Sequence, residues 1–194
     1  MGYISRLREL ARTARKTEDL DSVMRRYFVI GAFDGALTIL GILFGAFAAG
    51  QLTEKLVIAA GVSGGVGLSV SSLVGAYEAE RVERKVALGR LKQSMLKEPR
   101  KDYISAMRFA AMIAALVHAI SPLLAALIPI IPFILIADVG TAMAISIFLT
   151  LSFLFIMGAF MGAFAKEFIL YSGLRFVTAG LATALIIYLI EKVI

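Results

Sequence analysis

The chain of 194 residues has no cysteine, which excludes disulfide bonds, thiolate metal sites and cysteine nucleophiles. It has a single histidine, His118, so no helical His-Glu-x-x-His pair exists to hold a catalytic zinc ion. No glycine-rich phosphate loop ends in Lys-Ser or Lys-Thr, which excludes a self-contained ATP-driven pump. Acidic residues are scarce inside the apolar runs, where Asp34 stands alone, so the acidic cluster of a magnesium-dependent lipid transferase is missing. These absences argue against an enzyme, and no tightly bound cofactor is expected.

What is abundant is apolar surface. Hydrophobic residues make up 60% of the chain, against roughly 45–50% in soluble domains, and the mean hydropathy is +0.88. Five apolar segments stand out, at about 27–50, 55–77, from 104 onward, 140–165 and 171–190. Each is long enough to cross a bilayer as a helix, which takes about 20 residues. The apolar residues come in blocks and do not alternate, which argues against a β-barrel. The expected fold is all-α: a polytopic membrane protein of five transmembrane helices, integral to the lipid bilayer. The third segment is expected to kink at Pro122 and fray at its end, at Pro129 and Pro132. Short turns at 51–54, 137–140 and 166–168 predict antiparallel neighbours.

The formal net charge of +6 is distributed unevenly. Of the 20 Lys and Arg residues, 18 fall before the first segment, between the second and third, or around the turn between the fourth and fifth; only Lys55 and Lys192 fall on the other side. Positive loops stay inside, so the N-terminus is expected in the cytoplasm and the C-terminus outside. That asymmetry is a membrane signature, and nucleic acid is not an expected partner. Residues 1–26 read as a cytoplasmic N-terminal segment and 27–194 as the transmembrane domain. In the first, Ile4, Leu7, Leu10, Ala11 and Ala14 recur at helical spacing beside Arg8, Arg12 and Arg15. They form either an amphipathic helix on the inner leaflet or a solvated basic arm. Residues 78–103 read as a short basic cytoplasmic helix continuing the second segment, with Glu80 and Arg84 one turn apart and Pro99 as its stop.

Asp34 is the most informative residue, because a carboxylate inside an apolar segment is expensive and is read as functional by default. The alternative is a protonated packing group. Gly61, Gly65, Ser69 and Ser72 form a small-residue stripe at three- and four-residue steps, suited to a close helix contact across a two-fold axis. The serine hydroxyls, with Asp34, offer oxygen ligands to a hard cation or a proton. Glu78 and Glu80 form either an acidic cytoplasmic mouth or ordinary ion pairs with Arg81 and Arg84. His118 is either a proton relay or a neutral core residue with one hydrogen bond. Met157 and Met161 read as packing.

The run Gly31-Ala32-Phe33-Asp34-Gly35, preceded by Arg25-Arg26, resembles the first-helix signature of the vacuolar iron transporter family. The serine- and glycine-rich second segment, the run Leu127-Ile128-Pro129-Ile130-Ile131-Pro132-Phe133 and the start of the last span at Ser172-Gly173-Leu174-Arg175 are similar to it as well. The resemblance covers roughly residues 25–192. It implies a homodimer that moves a divalent cation, ferrous iron or manganese, out of the cytosol in exchange for protons, with Asp34 in the pathway. It also implies a cell membrane in a prokaryote, or a vacuolar or other organellar membrane in a eukaryote. An ungapped match puts Val62 and Val70 where plant and fungal members carry a glutamate and a methionine, and Tyr27 where they carry an acid. The family's large metal-binding insertion is replaced by a short basic segment. The competing expectation is therefore a non-transporting membrane scaffold or partner subunit that keeps the fold.

Overall fold

The computed structural model describes residues 20–95 and 101–193. The amphipathic pattern before Leu20 and the helix stop at Pro99 lie outside them. Among the described residues the fold is all-helical: α1 (Leu20–Ala48), α2 (Glu54–Met95), α3 (Lys101–Leu135), α4 (Val139–Ala165) and α5 (Ile169–Glu191). All five are long and apolar enough to cross a membrane. At about 1.5 Å per residue, the 42 residues of α2 run to about 63 Å, twice the roughly 30 Å of the hydrocarbon layer. Its charged C-terminal part is the helical continuation expected from the sequence. Asp21 lies in the first turn described for α1, where a carboxylate suits the positive end of a helix dipole.

Each turn has a local chemical cause. After α1 the backbone passes through Gly50 at φ 67°, a left-handed conformation that favours glycine. Thr53 Oγ1 then accepts the Leu56 amide to start α2. Asp138 caps α4, accepting both the amide and the hydroxyl of Thr141, at 2.8 and 2.6 Å. The fourth helix ends on Lys166, left-handed at φ 56°, and Ser172 Oγ in α5 donates to Glu167 Oε2 at 3.1 Å.

Pro129 and Pro132 depart from expectation. They do not fray α3, which runs unbroken past them to Leu135. A proline removes one ladder donor, but in a membrane bundle a neighbouring helix can hold the segment in place with bonds of its own. Here Ser146 Oγ of α4 donates to the Pro129 carbonyl at 2.7 Å, and both residues are buried.

Two compact units divide the chain: residues 1–30 with 69–120, and 31–68 with 121–194. The core of the second unit is Ile39, Leu43, Val57, Ala126, Ile130 and Phe133, with Ala142 and Met143. Glycines set its closest approaches. A methyl group at Gly35 would collide with the backbone of Pro122, and one at Gly158 would lie 2.5 Å from the Ser172 carbonyl oxygen. Gly61 and Gly65 are buried against α3 of their own chain, where Ile130 and Ala126 occupy the space beside them. The stripe's glycines thus serve contact within the chain, and that volume is closed to a second copy. In the first unit, Leu20 of α1 packs on Ala106 and Ala110 of α3 with Met24.

Candidate functional site

The first unit holds a cluster of charged and aromatic groups where α1, α2 and α3 meet. On α2, one helical turn brings Arg84 Nη2 to 2.9 Å from Glu80 Oε2, and both side chains are nine-tenths buried. Arg26 of α1 reaches Glu80 Oε1 at 3.8 Å from a largely exposed position. Spacing along α2 predicts the Glu80–Arg84 pair, but not its burial. Such a pair resists the loss of either partner far more than a surface pair does. Glu78 and Arg81 form the surface version, at 2.7 Å with both side chains about half exposed. Both acids of the expected mouth are therefore engaged by arginines.

His118 on α3 lies in the same unit. Its Nδ1 is 3.0 Å from the Tyr27 carbonyl oxygen. A carbonyl only accepts, so Nδ1 carries the hydrogen of this bond. The imidazole and Tyr27 rings are 5.0 Å apart and tilted, and the Arg26 guanidinium sits 5.4 Å over the same Tyr27 ring. A hydrogen bond and a ring contact thus tie α3 to α1. Ser69 Oγ is buried with no hydrogen-bond partner, while Ser72 is half-buried.

The second unit holds Asp34. Its neighbours Ala32, Gly35 and Ala36 are buried, yet Asp34 itself is exposed on the surface of the chain. One turn on, Thr38 Oγ1 donates to the Asp34 carbonyl at 2.8 Å. Thr38 then opens a groove of about 710 Å³ between α1 and α5, with Gly41, Gly45, Gln51, Thr183 and Glu191 on its walls. Steps of four, three and four residues from Asp34 through Thr38 and Gly41 to Gly45 make this one face of a helix. The sequence carried that signal, but the glycines there look like ordinary packing until Asp34 and Thr38 are joined to them.

Among the described residues, no three His, Asp or Glu side chains come close enough together to hold a metal ion. Val62 and Val70 are exposed on α2, at 42% and 58%. The run Gly61-Val62-Ser63-Gly64-Gly65 spells the letters of a serine-nucleophile elbow, but it lies in mid-helix, where Ser63 Oγ donates to the Ala59 carbonyl. An elbow needs a strained strand-to-helix turn, so the letters carry no chemistry here.

The family model described as the VIT family matches residues 25–103 and 90–192. An uncharacterized protein from Methanocaldococcus jannaschii is 35% identical over 178 residues, covering 86% of this chain and 88% of its own length. The motif around Asp34 lies within the matched residues, as do the five apolar helices apart from the first turn of α1. The chain belongs to the VIT family, the vacuolar iron transporters, and is an integral membrane protein of a family that transports divalent metal ions.

Proposed function

We propose that this protein exports a divalent cation, ferrous iron or manganese, from the cytosol through a path between two copies, in exchange for protons. The exposure of Asp34 on a single chain carries the reading. A charged side chain facing mid-membrane hydrocarbon costs about 2.5–3.5 kcal/mol on insertion scales. A second copy laid over this face of α1 takes the carboxylate out of lipid. Two-fold symmetry then places two Asp34 side chains on one path, since an isologous contact presents the same residues twice. Paired carboxylates suit a hard divalent ion, and a proton is the other cation that a carboxylate can take in its place. That exchange is a physical route to proton coupling. The partnerless Ser69 hydroxyl supports a further oxygen donor on α2, with Ser72 beside it. The excess of Lys and Arg on one side supports a cytoplasmic N-terminus and hence the outward direction.

Reconstitution into proteoliposomes tests this. Wild-type protein is expected to pass manganese and ferrous iron, and Asp34→Asn to abolish the flux while leaving expression and dimerisation intact. Asparagine keeps the shape and removes the charge that offsets a dehydrated cation. Unchanged flux through Asp34→Asn overturns the role of Asp34. The apolar, exposed Val62 and Val70 favour a second reading, a membrane scaffold or partner subunit without a working path. Wild-type liposomes silent to both metals would select it.

A further inference from the structure

Where α2 and α3 leave the apolar zone, the first unit contains a pocket of about 430 Å³ whose charge is opposite to that of a cation path. The volume is within the range of small-molecule sites, about 300–1,000 Å³. Its polar wall is Arg81, Arg84 and Lys85 from α2 and Arg108 from α3. Glu80 offsets Arg84 and Glu78 offsets Arg81. Lys85 and Arg108 are exposed, and among the described residues neither is ion-paired. The pocket therefore carries the surplus of these two cations, which repels a metal ion and attracts an anion.

Its position selects the kind of anion. From Glu54 to Tyr77, α2 rises about 35 Å at about 1.5 Å per residue, enough to cross the hydrocarbon layer of about 30 Å. Tyr77 lines the pocket one turn before Arg81, at the depth where aromatic side chains border the headgroups. On α3, no Asp, Glu, Lys or Arg follows Arg108 to the helix end, so Arg108 marks the same surface from the other helix. Ala111, one turn further into the apolar zone, and Tyr77 give the wall an inner end that faces the bilayer, while Leu88 and Ile104 line it on the outer side of the cations. A cationic band with an apolar inner end matches an amphiphile whose phosphate meets the cations and whose chains run on into the bilayer.

We infer that this pocket binds the phosphate headgroup of an anionic phospholipid, held by Lys85 and Arg108 with Arg81 beside them. Basic pockets between transmembrane helices at the cytoplasmic surface suit such headgroups. The site is separate from Asp34, and the inference stands whether or not the protein transports metal.

Native mass spectrometry of the full chain, in detergent micelles doped with phosphatidylglycerol or phosphatidylcholine, tests it. Phosphatidylglycerol is expected to be retained and phosphatidylcholine washed away. Lys85→Gln with Arg108→Gln should weaken retention about thirtyfold, each interfacial cation being worth roughly a factor of five. Both positions are exposed, so folding is not at stake, and Lys85→Arg with Arg108→Lys should keep the lipid. Millimolar inorganic phosphate should not displace it, because the apolar wall contributes to holding a lipid and nothing to holding free phosphate. Undiminished retention by the glutamine variant, or equal retention of phosphatidylcholine, overturns the site. Displacement by inorganic phosphate overturns the lipid and leaves a site for the free anion.

Discussion

The two units are built with different chemistry. In the second, backbones approach closely at glycines, and hydroxyls end on carbonyls: Ser146 on Pro129, and Thr150 on Ser146, both buried. In the first, α1 and α2 are joined by Arg26 and the buried Glu80–Arg84 pair, and α3 is joined to α1 through His118. Lipid tails are as apolar as leucine, so a bundle immersed in them gains little from apolar side chains alone and relies on close packing of small residues. Near the charged ends of the helices, headgroups and water are present, and ionic groups become usable glue. The lesson is that one helix can change its means of attachment along its length. α2 is held through Gly61 and Gly65 at one end and through Glu80 at the other.

Breaking the ion pair sharpens this contrast most. Glu80→Gln removes the carboxylate that offsets the buried Arg84 guanidinium, and one-sided loss from a buried pair costs about 3–5 kcal/mol. The double replacement Glu80→Met with Arg84→Met should recover much of that loss, because it removes both charges from the interior. Unfolding in mixed detergent–SDS micelles reads both. A Glu80→Gln variant as stable as wild type would show the pair to be idle.

Next come the glycines. Gly35→Ala places a methyl against the Pro122 backbone, which cannot swing aside as a side chain can. Overpacking of this kind costs about 1–3 kcal/mol. Gly89, in the first unit, has nothing near its added methyl. Gly89→Ala should instead gain up to about 1 kcal/mol from helix propensity. The same SDS titration separates them, and similar effects at both positions would erase the distinction between the units.

Much of this is written in the sequence, and the remainder has a physical reason for being hidden. Five helices and three turns follow from apolar run length and from short polar interruptions such as Ala137-Asp138. The i,i+4 spacing announces Glu80–Arg84, yet burial depends on α1 and α3 covering it, which no local pattern encodes. Pro129 and Pro132 look like a helix end because the contact that anchors this stretch, Ser146 Oγ on the Pro129 carbonyl, comes from another helix 17 residues away. A small-residue stripe says that something approaches closely and not what: for Gly61 it is Ile130 of the same chain. The Asp34 motif is legible as family membership, while the groove beyond Thr38 needs α5 to form its far wall.

The smallest expected effect lies within the second unit, at the α3–α4 turn. Asp138 is outside the membrane-spanning segments, and hydrogen bonds from the Thr141 hydroxyl and amide hold its carboxyl below the usual range. Both donors favour the ionised form. A carboxylate with a folded-state pKa below its unfolded one contributes fully above the unfolded value, and the contribution disappears as pH falls through the folded one. Protection of the Thr141 amide against hydrogen exchange should therefore be constant near neutrality and fall only in acid, after free carboxylates have begun to protonate. Asp138→Asn can still accept a hydrogen bond but has no charge to lose, so its protection should be slightly lower at neutral pH and flat into acid. Protection factors, corrected for the intrinsic pH dependence of exchange, give the comparison directly. A wild-type profile as flat as that of Asp138→Asn would mean that the Thr141 bonds do not depend on the carboxylate's charge, and that the cap holds this turn by shape alone.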